Sequence, residues 1–70
     1  MRMLQIFING VKGIELPDLF KNVHAEYCTE EEIQEDPESA DFVQYWADID
    51  ESDTEKAEAF CRENNFDFWY

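Results

Sequence analysis

Few side chains in this sequence have the types and spacing that chemistry requires. His24 is the single histidine, and no serine or cysteine near it in the chain completes a nucleophile-and-base arrangement. It reads as a strand residue facing solvent. Cys28 and Cys61 stand 33 residues apart, outside the CxxC spacing of redox and zinc motifs, and two cysteines do not make a disulfide framework. Both read as small buried apolar residues, with one intramolecular disulfide as the alternative. The two glycines, Gly10 and Gly13, form no phosphate loop. Asp48-Ile49-Asp50-Glu51-Ser52-Asp53 begins like a calcium loop, with oxygen ligands at positions 1, 3 and 5. Position 6 then holds Asp53 where the turn demands glycine, and position 12 falls on Ala59, which has no carboxylate. Paired carboxylates for glycoside chemistry need a cleft for which 70 residues leave little room. The expectation is a protein that is not an enzyme and uses no cofactor or metal.

What the sequence does concentrate is negative charge. Eighteen Asp and Glu stand against five Lys and Arg, a formal charge of −13. From Asn22 to Glu55 there is no Lys or Arg, and the thirteen carboxylates of that segment equal the net charge of the whole chain. They are Glu26, Glu30, Glu31, Glu32, Glu35, Asp36, Glu38, Asp41, Asp48, Asp50, Glu51, Asp53 and Glu55. Solvated surfaces ordinarily interleave the two signs, because like charges at neighbouring positions repel. A run without compensation lowers folded-state stability and points to a function that uses a negative surface. The same charge disfavours direct binding to nucleic acid.

The elements that must carry this surface are legible in outline. Leu, Ile, Val and Phe make up 17 of 70 residues, above the composition at which disorder is expected, and a chain of this length supports one domain, 1–70. Met3–Ile8 alternates as a strand, and Asn9-Gly10 signals a hairpin with Val11–Leu16 returning. Pro17 ends that strand and opens a turn over Asp18–Asn22 with Leu19 and Phe20 inward; Val23–Cys28 alternates as a further strand. Thr29-Glu30-Glu31-Glu32 is a capping box that starts a short helix, which Pro37 ends near Asp36. A loop over Glu38–Asp41 leads to Phe42–Ile49, a strand by its β-branched and aromatic content, although Phe42, Val43, Trp46 and Ala47 would also suit a helix face. Ser52-Asp53-Thr54-Glu55 is a second capping box, before a helix that turns Ala57, Phe60 and Cys61 inward and stops at Asn64-Asn65. Phe66–Tyr70 makes a final strand. The fold expected is α+β: a small sheet of three to five strands, starting with a β-hairpin, covered by one or two short helices. Phe7, Phe20, Phe42, Trp46, Phe60 and Phe66 are expected to supply most of the core.

In size, charge and lone-domain character the chain resembles the small acidic proteins that bacteriophages and mobile elements encode against host nucleases. These include anti-CRISPR proteins, anti-restriction DNA mimics and inhibitors of uracil-DNA glycosylase. The resemblance implies stoichiometric inhibition, with carboxylates meeting the Lys and Arg that ordinarily hold phosphates in a basic groove. The partner-binding residues expected on that reading are Glu30, Glu31, Glu32, Glu35, Asp36, Glu38, Asp41, Asp48, Asp50, Glu51 and Asp53, with Trp69 and Tyr70 as apolar anchors beside Tyr45 and Trp46. The alternative is an acidic interaction module or transcription regulator that docks on a host protein through the aromatic tail Asn65–Tyr70. The expected partner is a basic nucleic-acid-binding protein or nuclease complex in the host cytoplasm, with no direct nucleic acid and no membrane. A second copy of the chain is a further expected partner at the edge beside Phe66–Tyr70.

Overall fold

The computed structural model describes residues 2–70 and shows a four-stranded antiparallel sheet with two short α-helices. Its strands are β1 (Met3–Val11), β2 (Lys21–Tyr27), β3 (Phe42–Asp50) and β4 (Asp67–Trp69); its helices are α1 (Glu30–Glu35) and α2 (Thr54–Glu63). The order across the sheet is β2-β3-β1-β4, with every neighbouring pair antiparallel. The fold is therefore the α+β class expected.

The turns are arranged differently from the local signals. Asn9-Gly10 lies inside β1, which pairs with β3 without a break from Met3↔Asp50 to Val11↔Phe42, and Val11–Leu16 forms no returning strand. Nine consecutive pairings with a strand rich in β-branched and aromatic residues outweigh a two-residue turn preference. Gly10 serves instead as a point of close approach: a Cβ there would lie 3.0 Å from Cε2 of Tyr45. The chain leaves β1 at Gly13, whose φ of +79° is the left-handed conformation glycine adopts freely.

Since β1 and β2 run in the same direction with β3 between them, residues 12–20 must return along the sheet. They do so as an irregular crossover that packs Ile14, Leu16 and Leu19 against the core and buries Phe20. The consecutive antiparallel strands β2 and β3 are joined by a long connection holding α1 and a 3-10 turn over Pro37–Asp41.

Alternation along β1 and β3 sends Ile6, Ile8, Val43, Tyr45, Ala47 and Ile49 to one face, where Ala57 and Cys61 of α2 close over them. The core is thus mainly aliphatic. Of the six aromatics expected there, Phe20, Phe60 and Phe66 remain, packed edge to face at 5.7 and 6.2 Å. Phe7 and Trp46 point to the opposite face, because they occupy the alternate positions of their strands, and Phe42 is 54% exposed at the start of β3. Cys61 is buried as expected, Cys28 is half-buried, and both thiols are free.

At α2 the second capping box does not form. Asp50 Oδ1 accepts from the Ser52 N–H (2.9 Å) and hydroxyl (2.8 Å), which draws Glu51–Asp53 into a 3-10 turn and leaves Asp53 at the N-cap with no side-chain hydrogen bond. The other end follows the asparagines: Asn65 is left-handed (φ +59°), and the Phe66 N–H donates to Cys61 O at 2.8 Å, bringing Phe66 back over Phe60. No helix among the described residues is long and apolar enough to cross a membrane.

Candidate interaction surface

The acidic residues fall into two groups at opposite ends of β3. At its start, Thr29 closes the expected capping box, its hydroxyl accepting from the Glu32 N–H at 3.2 Å. Asp36 then caps the 3-10 turn, accepting from the Glu38 N–H at 3.2 Å, and the Ser39 hydroxyl donates to Asp36 O at 2.7 Å. These local bonds hold Glu30, Glu31, Glu32, Glu35, Asp36, Glu38 and Asp41 as an exposed arm, with carboxylates of α1 placed favourably at the helix N-terminus. At the far end of β3 lie Asp48, Asp50, Glu51 and Asp53. Bonding from Ser52, first through its N–H and then its hydroxyl, holds the Asp50 carboxyl below the usual carboxylate range.

A nine-residue strand separates the groups by about 26 Å at ~3.3 Å per residue, in a molecule measuring 43 × 21 × 18 Å. The sequence-predicted set is therefore not one cluster. Between its two parts runs the open face of the sheet, which adds Glu26 and Asp67, while Lys21 stands opposite Asp48 at the far end. Among the described residues one ion pair forms, Arg62 with Glu58 at 3.1 Å, and it lies outside the 22–55 segment.

The open face has a feature that the charge count conceals. His24 pairs with Trp46, Trp46 with Phe7, and Phe7 with Trp69, so one aromatic from each strand stands in a single row across the sheet. The rings stack in two near-parallel pairs, His24 on Trp46 (5.4 Å, 13°) and Phe7 on Trp69 (5.7 Å, 11°). One step along the strands is a second row, Glu26, Gln44, Asn9 and Asp67, with carboxylates at both ends and amides in the middle. On the other side Asp48 accepts from Asn22 Nδ2 at 3.0 Å, where a bulge in β2 sets Asn22 at φ +51°. A cavity of about 650 Å³ wraps the end of the sheet beside the second row, reaching from Glu26 and Gln44 past Val11 and Phe42 to Asn64 and Phe66 on the side of α2.

Of the expected anchors, Trp69 stands in the aromatic row, 42% exposed. Trp46 joins it rather than the core. Tyr45 is buried, its hydroxyl donating to Val11 O at 2.7 Å, so it supports the sheet from within and presents nothing to a partner. Tyr70 lies beyond β4, with its hydroxyl donating to Glu58 Oε2 at 2.6 Å. His24 faces solvent as expected but lends one ring face to Trp46. Phe7 and His24 were absent from the sequence-derived set. The signal was present in β3, where Trp46 shares a strand face with Gln44, Asp48 and Asp50.

Burial pushes the Cys61 thiol up to about 11, which suits a core residue and not a nucleophile. Among the described residues no three His, Cys, Asp or Glu side chains converge as a metal-binding group. Comparison with protein-family models, curated proteins and solved structures finds no match to this chain.

Proposed function

We propose that the chain is a stoichiometric binding protein whose acidic surface occupies the basic, nucleic-acid-binding groove of a host protein. The observation that supports this most is the distribution of its charge. Duplex DNA presents a phosphate about every 3.4 Å along each strand, so one strand offers about eight over the ~26 Å that separates the two acidic groups. The segment 22–55 carries thirteen carboxylates and no basic side chain, spread from one end of β3 to the other on a hydrogen-bonded frame. Basic grooves attract such a surface at long range, and the aromatic row between the acidic groups supplies the apolar centre that affinity needs. In the resemblance drawn from size and charge, the host protein is a defence nuclease of the CRISPR or restriction type, met in the cytoplasm.

Docking through an aromatic tail is the second reading. It draws less support, because Asp67–Trp69 is a strand of the sheet and the Tyr70 hydroxyl is held by Glu58.

The test is charge reversal on the captured partner. Glu30→Lys, Glu31→Lys and Glu35→Lys together are expected to weaken binding by several kcal/mol, chiefly through a slower association rate. An unchanged association rate would remove the arm from the interface.

A further inference from the structure

We propose that the open sheet face is the contact surface for an arginine-bearing segment of the partner, with guanidinium planes lying on the aromatic row and paired to the carboxylates beside it. The proposal rests on the basic-groove reading for its class of partner and names where and how that partner is held.

Three observations favour arginine. The row brings one aromatic ring from each of the four strands together; stacking within the two pairs covers one face of each ring, and Trp69 at the end of the row is 42% exposed, with its other face open to a planar cation. The adjacent row ends in Glu26 and Asp67, so a cation over the rings finds a carboxylate within one strand step on either edge. A planar guanidinium can stack and form paired hydrogen bonds at once, which a compact lysine ammonium does not do. The amide carbonyls of Gln44 and Asn9 add acceptors, and the cavity of about 650 Å³ beside them is large enough for long side chains.

The chain contains a small version of the same arrangement. The Arg62 guanidinium lies 5.6 Å from the centre of the Phe68 ring while its Nη2 pairs with Glu58 at 3.1 Å. Bases of a single-stranded nucleic acid would also stack on such a row, but their phosphates would then lie beside Glu26 and Asp67, on a face whose one basic cross-strand neighbour is Lys21 opposite Asp48.

Both tryptophans of the chain stand in the row, so indole fluorescence reports on this face directly. The experiment titrates the intact protein with labelled deca-arginine, deca-lysine and a single-stranded oligonucleotide at about 150 mM salt, following quenching and label anisotropy. Deca-arginine is expected to quench both indoles and to bind roughly tenfold more tightly than deca-lysine. Trp69→Leu should bring that ratio close to one while lowering the thermal midpoint by no more than the few degrees that loss of the Phe7 stack costs. Glu30→Gln, Glu31→Gln and Glu35→Gln should weaken both peptides while preserving the ratio. Equal binding of the two peptides, a ratio untouched by Trp69→Leu, or quenching by the oligonucleotide instead of the peptide would each overturn the proposal. Arginine preference at this face with a captured partner that nucleic acid fails to displace would uphold the surface and overturn the groove reading. A displaceable partner with an unchanged ratio in Trp69→Leu would do the reverse.

Discussion

The His24 imidazole lies parallel to the Trp46 indole, 5.4 Å away and 13° from coplanar, across the β2–β3 pair. This places the sole histidine of the chain in a packing role at the edge of the sheet. Cross-strand aromatic pairs contribute about 0.5–1 kcal/mol beyond an alanine pair. His24→Ala is therefore expected to lower the thermal midpoint by a few degrees and to shift Trp46 emission to longer wavelength. A fluorescence-detected melt checks both; unchanged emission would show that the ring does not cover the indole.

Gly10 is fixed by its neighbour rather than by a turn. A methyl group there would meet Tyr45 Cε2 at 3.0 Å and Cδ2 at 3.1 Å, and the Tyr45 ring is tethered by its hydroxyl bond to Val11 O at 2.7 Å. Gly10→Ala is expected to cost about 1–3 kcal/mol, read as a fall of the denaturant midpoint. Tyr45→Phe should cost about 0.5–1.5 kcal/mol through the lost hydrogen bond. In the double variant the two costs should fall short of additive, because the freed ring can move away from the new methyl.

That glycine also shows where reading along the chain fails. Met3–Ile8, Phe42–Ile49, the Thr29 capping box and the Asn64-Asn65 stop are set by short-range pattern, and each appears where the pattern places it. Asn9-Gly10 carries an equally strong local signal, yet its fate is decided by pairing with Gln44 and Val43, more than thirty residues away. The aromatic row is hidden for the same reason. Phe7, His24, Trp46 and Trp69 are scattered in sequence, and only the β2-β3-β1-β4 order with its register aligns them. Charge was legible as a total, while its division into two groups is imposed by the length of β3. The Ser52 cap does not form because Asp50, at the end of a strand, accepts from both the serine N–H and its hydroxyl.

Self-repulsion within the acidic segment should be measurable. Raising salt from about 20 to about 500 mM shortens the screening length from roughly 20 Å to roughly 4 Å, which weakens repulsion among exposed carboxylates. The thermal midpoint is expected to rise by several degrees over that range, and Glu30→Gln, Glu31→Gln and Glu35→Gln together should flatten the rise. A midpoint that falls with salt would mean that attractive pairs dominate.

Alkaline pH should destabilise the fold in two overlapping steps. Burial raises the Cys61 thiol from an ordinary 9.0 to about 11, and burial together with the hydrogen bond to Glu58 raises the Tyr70 phenol from 10.0 to about 12. Tyr70 is 52% exposed, so its hydrogen bond at 2.6 Å carries more of that shift than burial does. Both groups keep their protons in the folded state at a pH where the unfolded chain releases them. Their contribution is full below pH 9, and is lost from pH 9 to 11 for Cys61 and from pH 10 to 12 for Tyr70. Midpoints measured across pH 8–12 should fall, with Tyr70→Phe flattening the upper part of the curve and Cys61→Ala the lower part. Slopes unaffected by either substitution would contradict these assignments.

The central claim is that the carboxylates stand in for phosphates, and competition tests it most directly. Tagged protein would be used to capture its partner from host lysate at about 50 mM salt, then challenged with duplex DNA, RNA or about 500 mM salt. Recovery of a nucleic-acid-binding protein that both nucleic acid and salt displace is the result predicted. A partner that resists salt and ignores nucleic acid would contradict the claim.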